Sequence, residues 1–185
     1  MSFSFKHDRK LPVLIFAAVS VAAAQKLEMR SLAPYVPSPQ KIVERMLELA
    51  EVKRTDTVYD LGSGDGRIII AAAERFGAKA VGVEIDPELV QKSEARLKEL
   101  SLENRAKVIQ GHLLEVDLSP ASVVTLYLLT SVNKMLRPNL EQSLKPGSRV
   151  VSHDFQIDGW TPIKTERVRG DGRTHMIYVY EIGKQ

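Results

Sequence analysis

Apolar residues along the chain alternate between short continuous runs and longer stretches in which they recur every three or four positions. The short runs are rich in β-branched and aromatic residues, which is typical of buried strands, and the longer stretches have the spacing of amphipathic helices. There are five short runs, and helical stretches separate all of them except the third and fourth: residues 57–61, 80–84, 106–110, 122–128 and 148–155. This alternation predicts an α/β domain with a doubly wound, mostly parallel sheet.

The two runs nearest the C-terminus, residues 163–168 and 175–182, have no helical stretch between them. They are joined by residues 169–173, whose sequence Arg-Gly-Asp-Gly-Arg is typical of a hairpin turn. The predicted sheet therefore has seven strands and closes with an antiparallel C-terminal hairpin.

A glycine-rich turn follows the first run. Gly62, Gly64 and Gly66 remove the side chain at every second position before a helical stretch begins near Ile68. Glycine permits positive φ and a close approach of ligand to backbone, and the N–H groups that begin a helix favour polar or anionic groups. A dinucleotide fingerprint requires a third small residue at position 67, which is Arg67 here. The turn indicates a nucleotide pocket of a different class.

A carboxylate ends the second run. Glu84 lies at the end of that predicted strand, and Asp86 and Pro87 then begin a helix as N-cap and first helical residue. In a doubly wound sheet the end of this strand lies beside the glycine turn, where a carboxylate can accept the hydroxyls of a ribose. Glu84 is therefore the predicted ribose ligand.

The pattern from Asp60 to Gly66, acid-x-Gly-x-Gly-x-Gly, resembles motif I of the class I S-adenosylmethionine (SAM) methyltransferases. The proline-rich residues 34–39, followed by a helical stretch and then by Asp-Leu-Gly-Ser-Gly-Asp-Gly-Arg, resemble a narrower family. That family contains the mitochondrial lysine methyltransferases of the ATP synthase c-subunit and the adenine nucleotide translocator, with their small prokaryotic relatives.

The resemblance implies a Rossmann-like fold, SAM as cofactor, and an acid at Asp60 near the amino group of SAM. It implies a cofactor site formed by Tyr35, Val36, Pro37, Asp60, Gly62, Ser63, Gly64, Asp65, Gly66, Arg67, Glu84, Ile85, Gly111, His112, Leu113 and Tyr127. Residues 35–37 are expected either to link two segments or to fold over the cofactor as a lid. His112 stands at the position where related methyltransferases commonly have an Asp or Asn that hydrogen-bonds the adenine amino group. It is therefore expected either in the pocket or on a half-exposed loop.

Tyr127 and Asp154 are the candidate catalytic residues, because open α/β sheets react at the carboxyl ends of their strands. Tyr127 either shapes an amine pocket or is an ordinary core tyrosine, and Asp154 either receives a cation or is solvated. The Asp/Asn-Pro-Pro-Tyr/Phe loop of adenine and glutamine methylators is absent from the sequence. The expected mechanism is in-line displacement, which needs no general base, and no His–Asp pair is evident beside the glycine turn.

The amino-acid composition excludes several kinds of site. The chain has no cysteine, which excludes disulfides, thiolate metal sites and cysteine nucleophiles, and no metal site is predicted. The net charge of +3 is concentrated at the start of the chain, because 23 basic and 22 acidic residues remain outside the first ten. No nucleic-acid partner is therefore predicted.

Residues 11–24 form an uncharged apolar stretch that follows three basic residues. The stretch has the form of a secretory signal and is shorter than the ~20 residues of a spanning helix. Because SAM is cytoplasmic, an uncleaved membrane anchor or interfacial segment with the domain on the cytoplasmic side is expected, and a cleaved signal or an ordinary amphipathic helix remains an alternative. Residues 1–32 are thus an apolar N-terminal segment, and residues 33–185 are the methyltransferase domain.

Three functions remain open. The first is SAM-dependent N-methylation of protein lysine, with a membrane protein as one candidate substrate. The second is methylation of a small molecule by the same fold. The third is a non-catalytic, membrane-associated protein that binds SAM.

Overall fold

The computed structural model describes residue 32 and residues 35–184 of the 185-residue chain. The predicted apolar stretch at residues 11–24 lies outside the described residues. Within the described part, none of the helices is both long enough and apolar enough to cross a membrane.

Seven strands form one sheet in the order β3-β2-β1-β4-β5-β7-β6. The strands are β1 (Thr57–Leu61), β2 (Lys79–Glu84), β3 (Ala106–Gln110), β4 (Val123–Leu126), β5 (Arg149–His153), β6 (Lys164–Gly170) and β7 (Arg173–Glu181). Strands β1 to β5 are mutually parallel, whereas β7 runs antiparallel to both β5 and β6. The predicted doubly wound sheet with an antiparallel C-terminal hairpin is confirmed.

Four helices are described: α1 (Gln40–Leu49), α2 (Arg67–Phe76), α3 (Pro87–Glu99) and α4 (Thr130–Ser143). Helix α2 begins directly after Gly66, whose φ of +78° turns the chain out of the glycine loop. Helix α3 begins as its sequence predicts, because the Asp86 carboxylate accepts a hydrogen bond from Glu88 N at 2.9 Å and Pro87 occupies the first turn.

Strand residues alternate between two cores, one on each face of the sheet. Val58 and Val123 pack with helices α1 and α2, while their neighbours Tyr59 and Val124 pack with helix α4. This two-residue alternation is the geometry of an extended strand covered on both faces. The sheet is thus held rigidly, and its carboxyl ends carry the loops described next.

Candidate active site

The glycine turn is fastened to the neighbouring strand. Gly62 N and Ser63 N both donate to the carbonyl oxygen of Val83 on β2, at 2.9 and 3.0 Å. Gly62, Gly64 and Gly66 have φ of +79°, +55° and +78°, a region that L residues with side chains rarely adopt. The turn is therefore a fixed loop of bare backbone at the carboxyl ends of β1 and β2.

The ring of Tyr35 lies over this turn. A Cβ atom added to Gly64 would lie 2.9 Å from Tyr35 Cδ2 and closer still to Tyr35 Cε2. Tyr35, Val36 and Pro37 are all exposed, Tyr35 at 47% and Val36 at 53%. Of the two expectations for residues 35–37, this placement favours the lid, because the segment covers the glycine turn while presenting apolar surface to solvent.

Asp60 is a buried acid near the carboxyl end of β1. The residue is 3% exposed, and Thr125 Oγ1 donates to its Oδ1 at 2.7 Å. Within the part of the chain that the structure describes, no donor reaches Asp60 Oδ2. Burial raises the pKa of Asp60 to about 7, and the nearby negative charges of Glu84 and Asp65 also raise it. Asp60 is thus mostly protonated below neutral pH in the free protein, and its Oδ2 has no hydrogen-bond donor among the described residues.

Glu84 is oriented by three backbone groups. Its Oε2 accepts from Gly64 N at 2.8 Å, and its Oε1 accepts from Ile85 N at 2.8 Å and from Asp86 N at 2.9 Å. A carboxylate has about four acceptor positions, so about one remains for a ligand. Gly111 N on the adjoining strand end donates to the Glu84 carbonyl at 2.9 Å, which places the β3 loop beside the same carboxylate.

Asp65 and Arg67 tie the turn to its surroundings. Arg67 Nε and Nη2 donate to the two oxygens of Asp65 at 2.9 Å each, and Arg96 Nη1 lies 3.1 Å from Asp65 Oδ2. Burial opposes ionisation of Asp65, but the bonds from Arg67 and the positive charges of Arg67 and Arg96 together outweigh it and lower the pKa of Asp65. Arg67 Nη1 also donates to the carbonyl oxygen of Ser38 at 2.6 Å. These two charged residues fasten the lid segment to the turn.

His112 follows β3 at the same end of the sheet. Its Nδ1 accepts from Leu114 N at 3.3 Å, and among the described residues none bonds to its other ring nitrogen. Leu113 is partly buried against the core beside helix α4. The adenine-binding roles of Gly111, His112 and Leu113 stay predictions.

A chain of buried side chains runs from the lid segment into the sheet. Ser38 Oγ lies 2.9 Å from His153 Nδ1, His153 Nε2 lies 2.8 Å from His175 Nδ1, and His175 Nε2 lies 3.2 Å from the carbonyl oxygen of Gly170. A carbonyl can only accept, so with neutral rings the donors run from Ser38 through His153 and His175 to Gly170. Burial lowers the pKa of His153 to about 4, which keeps its ring neutral at neutral pH.

Tyr127 and Asp154 lie beside this chain. The rings of Tyr127 and His153 are stacked with centroids 3.9 Å apart, and the ring centroid of Phe155 lies 6.2 Å from that of Tyr127. Arg173 Nη2 donates to Asp154 Oδ2 at 2.7 Å and to the Tyr127 hydroxyl at 3.1 Å. Both strands end earlier than predicted, at Leu126 and His153, so these two residues belong to loops.

The backbone of Asp154 is held in an unusual conformation. Its φ is +60°, and it is fixed by two bonds to Met176: Asp154 N donates to Met176 O at 2.7 Å, and Met176 N donates to Asp154 Oδ1 at 2.8 Å. Burial opposes ionisation of Asp154, but the bonds from Met176 and Arg173 lower its pKa overall. A held, non-glycine residue with positive φ is a feature that clusters at functional sites.

The loop that carries Tyr127 lies next to the glycine turn. Parallel pairing aligns Leu61 with Leu126 and Leu126 with Ser152, so β1, β4 and β5 end at one edge of the sheet. A Cβ atom at Gly62 would lie 3.3 Å from Leu128 Cδ2, in the loop that follows β4. The loop carrying Tyr127 therefore touches the glycine turn.

The structure brings the predicted site residues to this edge, and it adds four that the sequence analysis did not assign. These are Ser38, His153, His175 and Arg173. Ligand atoms of His153, Asp154 and His175, at the end of β5 and in β7, lie within 4.8 Å of one another, a grouping that could hold a metal ion. Both histidines are already engaged in hydrogen bonds on both ring nitrogens, so neither is a free general base.

A family model described as the ANTKMT methyltransferase domain matches residues 60–164. The chain belongs to this methyltransferase family. The matched range begins at Asp60 of the glycine motif and contains Glu84, Tyr127 and Asp154.

Similar proteins carry related names. A protein-lysine N-methyltransferase from Saccharolobus islandicus (strain REY15A) is 52% identical over 152 residues, which are 82% of this chain and 94% of that protein. The lysine N-methyltransferase of the ATP synthase c-subunit from Homo sapiens is 35% identical over 139 residues. These residues are 75% of this chain and 58% of that longer protein. A crystal structure of an RNA methyltransferase from Salinibacter ruber in complex with S-adenosyl-L-homocysteine has a TM-score of 0.76 and 51% identity, over 81% of this chain and 95% of that one. The predicted family, fold and methyltransferase activity are confirmed.

Proposed function

We propose that this protein transfers the methyl group of SAM to lysine side chains of proteins. The observation that carries the proposal is the placement of Asp154. Its carboxylate lies at the carboxyl end of β5, beside the Tyr127 ring, and it already binds a cation, the guanidinium of Arg173. A carboxylate next to aromatic faces is the environment that a lysine ammonium group favours.

The residues around the glycine turn fit SAM. Asp60 is a nearly buried acid whose Oδ1 accepts from Thr125, and no described donor reaches its Oδ2, which suits the ammonium group of the cofactor's amino-acid end. Glu84 is held in place by three backbone N–H groups and has acceptor capacity left for a ribose hydroxyl. Bound SAM supplies an electrophilic methyl group on a sulfonium. The demethylated cofactor in the relative from Salinibacter ruber supports this assignment.

In the proposed mechanism Asp154 receives the acceptor ammonium at the mouth of the site, and Tyr127 guides the side chain toward the glycine turn. Removal from water beside the aromatic rings lowers the pKa of the amine, which then releases a proton to solvent. The nitrogen lone pair forms the new bond to the methyl carbon as the carbon–sulfur bond breaks and its electron pair remains on sulfur. Holding the two reactants in line supplies a term that can reach ~7–11 kcal/mol.

The names of the relatives point to two kinds of acceptor. The relatives from Saccharolobus islandicus and Homo sapiens are named for lysine, whereas the relative from Salinibacter ruber is named for RNA. An RNA surface needs an excess of positive charge, but 23 basic residues face 22 acidic ones outside the first ten positions of this chain. The charge balance disfavours RNA, and the carboxylate of Asp154 favours a cationic acceptor.

The test is methyl transfer from SAM labelled in its methyl group to four separate probes: poly-L-lysine, poly-L-arginine, free L-lysine and bulk tRNA. Label in poly-L-lysine, recovered as methyl-lysine after hydrolysis, is the expected result. Label in tRNA alone would overturn the proposal, and label in free lysine alone would favour a small-molecule acceptor. Gly64→Val is the inactive control, and absence of label from every probe with SAM still bound would favour a non-catalytic binder.

We further propose that residues 1–32 associate with a membrane and leave the methyltransferase domain, residues 33–185, on its cytoplasmic side. The support for membrane association is the uncharged stretch at residues 11–24, and the support for the cytoplasmic side is the cytoplasmic supply of SAM, because basic residues on both flanks give no orientation. Membrane attachment would give the domain access to membrane-protein lysines, and the substrate named for the relative from Homo sapiens belongs to the ATP synthase.

A further inference from the structure

Arg173 is the first residue of β7, and its side chain turns away from the hairpin toward the acceptor site. It makes two contacts there, with Asp154 Oδ2 at 2.7 Å and with the Tyr127 hydroxyl at 3.1 Å. The side chain is 51% exposed, although its partner Asp154 is only 16% exposed. An exposed cation thus covers a mostly buried carboxylate.

Asp154 is largely enclosed, and the exposed Arg173 side chain lies on its solvent side. Oδ1 is occupied by Met176 N at 2.8 Å, while His153 Nε2 and His175 Nδ1 lie 3.4 and 3.6 Å from Oδ2 on the buried side. A second cation that approaches Asp154 Oδ2 from solvent therefore competes with the Arg173 guanidinium for this carboxylate.

The contact is suited to exchange. Ion pairs with an exposed partner contribute little to stability, with a typical range of ~0–1 kcal/mol. The hairpin is held independently by seven paired positions between β6 and β7, from Lys164 with Val179 to Gly170 with Arg173. Displacing the Arg173 side chain would leave this ladder intact. A guanidinium also stays protonated in proteins, so it can occupy an amine site without being methylated there.

We propose that Arg173 occupies the cation position of the acceptor site until a lysine displaces it, and that it thereby sets the affinity for the acceptor. This inference rests on the proposed function, since it assumes that Asp154 receives the lysine ammonium. The same arrangement keeps the Asp154 carboxylate paired when no acceptor is bound and disfavours acceptors that lack a positive charge to replace the guanidinium.

The experiment measures steady-state methylation of poly-L-lysine by the full chain, with Arg173→Gln compared against Arg169→Gln. Arg169 lies on the same hairpin and is exposed, and within the described residues its side chain forms no bond to Asp154. Both variants remove one positive charge. We expect Arg173→Gln to lower KM about two- to fivefold, with kcat and SAM affinity unchanged, and Arg169→Gln to leave KM near the wild-type value.

A double-mutant comparison tests whether the effect passes through Asp154. In an Asp154→Asn background the Arg173 guanidinium has lost its carboxylate partner, so adding Arg173→Gln should no longer lower KM. An equal KM for Arg173→Gln and Arg169→Gln, or a raised KM for Arg173→Gln, would overturn the inference while leaving lysine methylation standing. Failure of the wild type to methylate poly-L-lysine while it methylates tRNA would instead overturn the proposed function, and this inference with it.

Discussion

Glu84 and Gly64 are joined by a hydrogen bond of 2.8 Å between the Glu84 carboxylate and the Gly64 amide. The bond links the end of β2 to the middle of the glycine turn after β1, so the group proposed for the ribose also fixes the backbone proposed for the amino-acid end of SAM. Two parts of one ligand would therefore be positioned by a single side chain.

Replacing Glu84 should weaken cofactor binding. Glu84→Ala removes the ribose acceptor and releases three backbone N–H groups, and we expect SAM binding to weaken by ~1–3 kcal/mol. Titration calorimetry with SAM measures the change. Glu88→Gln, which alters an exposed acid on helix α3, is the matched control and should bind SAM as the wild type does. Equal SAM affinity in Glu84→Ala and Glu88→Gln would contradict the assigned ribose role.

Gly64 is tested by a pair of glycine substitutions. A Cβ at Gly64 would collide with the Tyr35 ring, whereas Gly147 has a similar positive φ, +85° against +55°, but no atom within 4 Å of its Cβ position. Gly147→Ala therefore reports the backbone cost alone, and Gly64→Ala adds displacement of the lid segment. We expect SAM binding to weaken at least tenfold in Gly64→Ala, which corresponds to ~1.4 kcal/mol of binding free energy. We expect SAM binding to stay unchanged in Gly147→Ala. Similar affinities in both variants would show that Tyr35 has no part in the cofactor site.

SAM affinity should depend on pH through Asp60. The pKa of this carboxyl is raised to about 7 in the free protein, so below that pH the ammonium of SAM must first displace a proton. Affinity should therefore rise with pH by up to about tenfold per unit from pH 5 to 7 and level off above. Calorimetry across this range checks the slope, and Asp60→Asn should bind weakly at every pH with little slope. A wild-type affinity independent of pH would contradict the role given to Asp60.

The same pKa shift predicts the pH dependence of folding stability. A carboxyl with a raised pKa in the folded state contributes stability that is complete below its unfolded pKa and is lost as the pH rises through the folded value. Without SAM, the free energy of unfolding should therefore decrease from pH 4 toward pH 7 relative to that of Asp60→Asn. Urea unfolding of both proteins across this range measures the difference, and parallel pH profiles would contradict it.

Ser38 offers a test of the buried chain. Ser38→Ala removes the donor to His153 Nδ1 and leaves that nitrogen without its partner, which should cost about 1–3 kcal/mol of unfolding free energy. Nitrogen NMR of the imidazoles should show His153 protonated on Nε2 in the wild type. Ser119→Ala, in an exposed loop, is the control and should change stability little. Protonation of His153 on Nδ1 in the wild type would contradict the donor order.

Sequence could predict the parts of the site that are encoded locally. The bounds of β1 and β3 match the predicted runs, and the position of Glu84 follows from strand length and the acid that ends the run. Each of these features depends on neighbouring residues, whose alternation and turn chemistry are visible in the chain itself.

The remaining contacts depend on pairing between distant segments. Ser38 and His153 are 115 positions apart, and His153 meets His175 only because β5 lies antiparallel to β7. No local pattern specifies which strand edge the C-terminal hairpin joins, so neither the histidine pair nor the pairing of Asp154 with Arg173 could be predicted. The positive φ of Asp154 likewise arises from its two bonds to Met176.

The N-terminal segment gives the final prediction, which concerns membrane association of the full chain. Ile15→Lys with Val19→Lys places two charges in the apolar stretch, where charged side chains oppose burial in the apolar part of a membrane. Met135→Lys with Ile163→Lys is the matched control, because it adds the same charge at apolar residues of the domain that are 51% and 41% exposed. In flotation with uncharged phosphatidylcholine vesicles, the wild type and the control should float and the first variant should not. Flotation of both variants, or of neither variant nor wild type, would contradict anchoring through residues 11–24.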